Sequence, residues 1–367
     1  MQQASFAFFL IFNFINRDIS NIFLLTTLAL SIINFDILKD SLKSHRKLIY
    51  LILIFTSIVI VSVILNNSSI SEIDNYTRLL LLTPLLTITF SDKHYKLIIL
   101  AASVAASVSL IYTMSLYDHE RYWGTSSHPI TYANICALMS MVSLYRMFMA
   151  SNKYDSIIYG LSLIFFLAPM FMTATRGPLV GILICIALII VLKKSYKLFF
   201  SSLIILLLVI FTSNSLSTRL NRMVDINLFD IQANGHVSIR ERVAYLHYGI
   251  LNSTENILIG IGPSTLEPDM KKWITKNNYA VTPRDHLHNE YLDVLVKFGL
   301  PALIFLLLIY FYFIKYSISI RNYEILIILF MLMSSQLTQS QFAHHQSITF
   351  FMALLYVSIS AVKRNSQ

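Results

Sequence analysis

The stretch RDHLHNEYLDVLVKFGLPALIFLLLIYFYF, residues 284–313, changes character within a few positions. It opens with Arg284, Asp285, His286, His288, Asn289 and Glu290, then becomes one of the longest apolar runs in the chain. A spanning helix needs roughly 20 mainly apolar residues, and the run beginning near residue 292 supplies them. Charge and imidazole thus stand at the mouth of a membrane segment, where polar groups are costly and usually face a cavity or a partner.

Working outward, the 367 residues are 56% hydrophobic and only 13% charged, with a mean hydropathy of +0.66. A soluble domain carries about 25% charged residues, so this chain lacks the charge for a polar surface. The apolar runs are continuous and do not alternate with period two, which favours helices over a barrel. The expected fold class is an all-α integral membrane protein. Cys136 and Cys185 both lie inside apolar runs, so no disulfide framework or thiolate metal site is indicated. The first apolar stretch, ASFAFFLIFNFI, has no basic region before it and no small-residue cleavage site after it. It reads as a retained helix.

Hydropathy places about twelve transmembrane helices at 4–16, 19–38, 48–66, 77–91, 95–116, 129–148, 156–173, 177–192, 197–213, 292–314, 322–339 and 346–362. Alternating the chain across the membrane from a cytoplasmic N-terminus puts KDSLKSHRK, SDKHYK, ASNKYD, KKSYK, KYSISIR and VKRNSQ on one side. The short loops on the other side carry only Arg17, Arg78, Arg121 and Arg176. This bias places both termini inside. Three parts follow: helices one to nine over 1–213, a large periplasmic loop over 214–291, and helices ten to twelve over 292–367. Within the loop, SIRERVAYLHYGILNS has helical spacing behind a Ser cap, and ENILIGIGPSTLEPD is turn-rich with a Gly-x-Gly-Pro step.

The loop is rich in cations: Arg219, Arg222, Arg240, Arg242, Lys271, Lys272, Lys276 and Arg284. A solvated basic face is one explanation, since long loops translocate regardless of charge. An anionic ligand is the other, because the planar guanidinium fork makes paired bonds to phosphate. Arg240 and Arg242 sit near the positive end of the expected loop helix. Arg176 lies in TATRGP between two apolar spans, either as a snorkelling anchor or as a charge serving a cavity. His286 and His288 admit three readings: a zinc site with an acid nearby, a polar cap in which Asp285 or Asn289 starts the helix, or a neutral imidazole acting as general base. DHERYWGTSSHPITYANI, with Tyr122, Trp123 and His128, resembles a sugar-stacking surface or an interfacial aromatic belt. TQSQFAHHQS, with His344 and His345, is polar at a helix end on the same side.

These residues gather arginines and a potential base at one membrane face, which suits an enzyme acting on a lipid phosphate or diphosphate. In three motifs the chain resembles the bacterial O-antigen ligases, within the broader ligase and polymerase superfamily. TATRG resembles the family's Thr-x-Thr-Arg element, VSIRERVAYLHYGI its Ser-x-x-x-Arg element, and HLHNEYLDVLVKFGLPALIFLL its His-Asn-Glu element. ENILIGIGPSTL is similar to a Gly-x-Gly segment common across the superfamily. The resemblance implies a glycosyltransferase C-like fold in the bacterial inner membrane, with the active site facing the periplasm. It implies a donor of O-antigen linked to undecaprenyl diphosphate and a lipid A-core acceptor, in an inverting transfer needing neither metal nor cofactor. By position, His288 would activate the acceptor hydroxyl, while Arg242 and Arg176 would hold the diphosphate. Arg240, His286, Arg284, Asn289 and Glu290 would contact substrate. Membrane lipids are expected partners and nucleic acid is not.

Two alternatives accompany this expectation. An O-antigen polymerase would use the same donor with a lipid-linked glycan as acceptor. A flippase would place charges in a central cavity, whereas this chain gathers them at one face.

Overall fold

The computed structural model describes residues 1–116, 124–125, 128–193, 226–232 and 236–360. The described residues form α-helices and short 3-10 turns, with no strand among them. The helices are α1 (Gln2–Phe12), α2 (Arg17–Ile33), α3 (Phe35–Ser44), α4 (Arg46–Leu65), α5 (Asp74–Leu81), α6 (Asp92–Leu116), α7 (Pro129–Met149), α8 (Lys153–Met172), α9 (Gly177–Lys193), α10 (Val237–Glu255), α11 (Pro263–Lys276), α12 (Glu290–Ile320), α13 (Glu324–Thr338) and α14 (His345–Ser360).

Helices α4, α6, α8 and α12 are long and apolar enough to cross a membrane, and α2 with α3 makes a fifth candidate bent by 90°. Gln2–Phe12, Gly177–Leu192 and Glu324–Thr338 are shorter apolar helices. This is a multi-pass membrane protein. Two of the expected spans take another form. Residues 77–91 are the end of α5 and a 3-10 turn, Thr83–Thr87, opened by Pro84; the proline has no N–H to donate and breaks the helical ladder. The span expected over 19–38 turns sharply at Asn34, whose φ of −82° and ψ of 56° are not helical. The span expected over 197–213 lies outside the described residues, as do Arg219, Arg222, Tyr122 and Trp123. Each remaining expected span overlaps a helix, though only α4, α6, α8 and α12 among these are long and apolar enough to cross a membrane.

Helices α7, α13 and α14 form the centre, with most of their side chains buried. Some of their polar groups are matched inside. The Tyr310 hydroxyl donates to Gln336 at 2.8 Å, and Gln346 donates to the Asn13 carbonyl at 3.1 Å. Such pairing is required where water is excluded. The outer helices instead present Ile22, Leu25, Ile64 and Ile111 outward, as an apolar solvent demands.

The loop region packs onto this bundle through a break in α12. Gly299 has φ 83° and ψ 174°, and Pro301 follows it. The break frees carbonyls, and the Gly-Ile-Gly segment answers them. Ile261 N–H donates to Val296 O at 2.9 Å and Gly262 N–H to Lys297 O at 3.0 Å, while Leu300 N–H donates to Ile257 O at 2.6 Å. The Ser62 hydroxyl of α4 bonds both Ile259 O and Lys297 O, at 2.6 and 3.1 Å. A Cβ on Gly299 would stand 2.6 Å from the Leu258 carbonyl, and one on Gly260 would stand 2.4 Å from that of Lys297. Tyr245, Tyr248, Leu266, Met270, Ile274 and Leu287 then form a second core against Val296 of α12.

Gly299→Ala combines a left-handed φ with a backbone clash, and should cost roughly 1–3 kcal/mol. The check is thermal unfolding of the purified protein: a lowered midpoint is expected, and a wild-type midpoint would show that the crossing does not need glycine.

Candidate active site

A cavity of about 240 Å³ opens where five chain segments meet. The turn before α9 gives Arg176, the segment 226–232 gives Ile226 and Leu228, and α10 gives Ser238, Arg242 and Val243. The approach to α12 gives Leu287, His288 and Asn289, and the end of α13 gives Leu337 and Thr338. A second, polar chamber of about 110 Å³ shares Arg176, Ser238, Arg242 and Thr338 and adds Asn134, Thr175 and Gln339. The two arginines therefore face both spaces.

Local chemistry explains each placement. Helix α10 begins one residue before the expected cap: His236 is the N-cap, its Nδ1 accepting from Ser238 N–H at 3.3 Å. Ser238 is thereby free to line the cavity. Two residues on a helix differ by about 200° in direction, and Arg242, not Arg240, faces the cavity. Arg240 is half-buried, with an Nε that has no hydrogen-bond partner. Arg176 follows a turn in which Ala174 adopts φ 50°. Thr175 N–H donates to Thr173 Oγ1 at 3.2 Å, which ties the turn.

His288 is held by the start of α12. Asn289 is the N-cap, accepting from Leu292 N–H at 3.0 Å, a bond worth about 1 kcal/mol. The fully buried Asp293 accepts from Leu287 N–H at 3.2 Å and from Lys297 Nζ at 3.0 Å. Between these anchors His288 takes φ 54°, a conformation uncommon outside glycine and typical of sites where surroundings over-determine the backbone. Its Nδ1 lies 2.8 Å from Gln339 Oε1.

The other expected contact residues scatter. His286 bonds Asp285 at 2.6 Å, and its ring stands 4.6 Å from that of His288. Arg284 is exposed and neighbours the Tyr245 hydroxyl. Glu290 turns into the bundle, fully buried, and accepts from Phe342 N–H at 2.8 Å. Its role there is to hold the chain after α13. Neither His286, Arg284 nor Glu290 lines the cavity. Thr338, Gln339 and Asn134 went unnoticed in the sequence. The only signal was polarity where the eleventh span should end, SSQLTQSQ.

Electrostatics favour an anion and a neutral imidazole. Burial lowers the Arg242 guanidinium below its ordinary value, opposed by Glu241. An arginine nonetheless stays charged at neutral pH, so Arg242 is a partly desolvated cation. Burial first, then His286, pushes His288 down to about 3, with the Gln339 hydrogen bond acting in the opposite sense. Burial also lowers His344 to about 4. The His286 bond holds the Asp285 carboxyl down to about 2. Among the described residues, no group of three His, Cys, Asp or Glu side chains is arranged to hold a metal ion.

Residues 161–307 match the family model for O-antigen ligase. This stretch carries all three motifs, and the match supports membership of the O-antigen ligase superfamily. The chain is also similar to an uncharacterized protein of Haemophilus influenzae, 27% identical over 329 residues, covering 81% of this chain and 80% of that protein.

The depressed His288 has a stability signature. Its folded value lies below the ordinary 6.5, so the unfolded chain takes up the proton first as pH falls. Stability is then lost progressively from about pH 6.5 towards 3. His288→Gln removes this proton, and its unfolding midpoint should fall less steeply with acid than the wild type's. Equal slopes would mean that the folded site protonates His288 freely.

Proposed function

We propose that the chain is an O-antigen ligase, transferring O-antigen from undecaprenyl diphosphate to a sugar hydroxyl of lipid A-core at the periplasmic face of the inner membrane. One observation carries the reading. Arg176, Arg242 and His288, from segments far apart in sequence, line one cavity. Two cations beside a neutral imidazole are what glycosyl transfer from a diphosphate requires.

In the proposed reaction the acceptor hydroxyl oxygen attacks the anomeric carbon of the donor sugar. His288 takes the hydroxyl proton through its free ring nitrogen. The bond from the anomeric carbon to the diphosphate oxygen breaks, and the diphosphate leaves with the electron pair. Arg176 and Arg242 stabilise the charge that develops on it. Attack opposite the leaving group inverts the anomeric centre. The apolar walls formed by Ile226, Leu228, Val243, Leu287 and Leu337 exclude water, which strengthens these charge contacts. A polymerase would run the same chemistry with a lipid-linked glycan as acceptor.

The test is lipopolysaccharide profiling in a ligase-deleted strain that makes a matched donor and core, supplied with the intact gene or with His288→Ala. The intact gene should restore an O-antigen ladder on lipid A-core. His288→Ala should abolish it at equal membrane levels, a loss on the order of 10²-fold or more. If the intact gene instead only lengthens chains in a polymerase-deleted strain, the acceptor assignment is wrong and the enzyme is a polymerase. Arg242→Lys keeps the charge but loses the fork, and should reduce transfer by about 10-fold or more; wild-type transfer would remove Arg242 from the diphosphate site.

A further inference from the structure

Gln339 follows the last residue of α13 in extended backbone, with φ −157° and ψ 142°, and is 2% exposed. Its side-chain amide lies between two imidazoles. Oε1 is 2.8 Å from His288 Nδ1, and Nε2 is 2.5 Å from His344 Nε2. An amide is a one-way element, because its carbonyl only accepts and its amino group only donates. With Oε1 towards His288, the Nδ1 atom must carry the ring proton, and Nε2 keeps its lone pair. With the amino group towards His344, the Nε2 atom of His344 must be the unprotonated one.

We propose that Gln339 is a positioning residue that fixes His288 in the Nδ1-protonated tautomer, and that a neutral His344 holds the amide in the orientation this needs. The inference rests on the reading of His288 as general base. Nothing in the sequence motifs marks Gln339, which lies outside residues 161–307.

The opposite orientation shows what is at stake. Turning the amide over would present its amino group to His288 Nδ1, drive the ring proton to Nε2 and remove the base. His344 would then have to donate through its own Nε2. A doubly protonated His344 can only donate there, so it would select the inactive orientation. The surroundings oppose that second proton. The His286 ring lies 6.0 Å from His344 and the His128 ring 6.1 Å. Burial disfavours the charge most, His345 also disfavours it, and Asp285 favours it. Around His288 stand His286, Tyr245 at 5.7 Å between rings, and the charge of Arg242. The hydrogen bond on one ring nitrogen decides which nitrogen is protonated, and Gln339 provides the bond that leaves Nε2 free.

The test uses the full chain in lipid nanodiscs with nitrogen-15 in the histidine rings. The His288 resonances are assigned by their loss in His288→Ala. At neutral pH the wild type should show a protonated Nδ1. Gln339→Leu should shift His288 towards the Nε2-protonated form and lower transfer in isolated membranes by on the order of 10²-fold. Gln339→Glu offers only acceptors, so Nδ1 should stay protonated. Its negative charge should let the ring hold a second proton to higher pH, moving the acid limb of the transfer profile upward. An Nε2-protonated wild type overturns the proposal, as does a Gln339→Leu variant with unchanged tautomer and transfer. If Gln339→Leu fails to fold, an unshifted pH profile in Gln339→Glu overturns it. Normal transfer by His288→Ala would instead remove the base reading itself, whereas an inactive His288→Ala beside a normal Gln339→Leu removes only the relay.

Discussion

The break in α12 at Gly299 is the constraint on which the rest of the site depends. Within an apolar surrounding, carbonyls released from a helical ladder must find donors in the protein. Here they find Ile261 and Gly262, so the loop region is fastened to the bundle by backbone hydrogen bonds, with Ser62 of α4 as a third party. The fastening leaves a short helical stretch from Glu290 to Phe298 ahead of the break. That stretch carries the Asn289 cap and the buried Asp293–Lys297 pair. Asp293 in turn holds Leu287, so the backbone turn at His288 is determined from both sides.

The cavity that results has two characters divided by two arginines. On one side the walls are aliphatic, and on the other Asn134, Thr175 and Gln339 supply polar groups. A guanidinium drawn partly out of water gains from an anion bound with good geometry. On the proposed reading, the diphosphate lies at this divide, beside His288. The left-handed backbone at Ala174 and at His288 supports rims of the same space.

How much of this was legible in the sequence depends on range. Apolar runs gave the helices wherever hydropathy decides, and Pro84 and Asn34 overrode it where backbone chemistry decides. Local rules offered Asp285 or Asn289 as the cap of α12 and the structure uses Asn289, whereas His236 displaced the expected Ser238, its imidazole nitrogen accepting from Ser238 N–H. Spacing favoured Arg242 over Arg240 without deciding between them, since the face of α10 that meets the cavity is set by the fit of Tyr245 and Tyr248 into a second core. Glu290 looked like part of the charged knot, yet its carboxylate serves Phe342, a partner in a different part of the chain. Gln339 and Asn134 fall in polar stretches visible in the sequence, but nothing local singles them out, because their position matters only once α13 and α7 are packed.

A neutral amide, rather than a carboxylate, behind His288 has a chemical consequence. A carboxylate would hold the ring protonated to higher pH and so spend part of the enzyme population in a form unable to accept a proton. An amide orients the ring without adding charge, at the expense of basicity. On the proposed reading that weakness is relieved by the substrate. A bound diphosphate brings negative charge beside Arg242, offsetting the cation that disfavours protonation of His288. Proton transfer is also needed only as the bond to the diphosphate breaks, when the attacking hydroxyl becomes strongly acidic. The base would thus become strong enough only when the donor is in place.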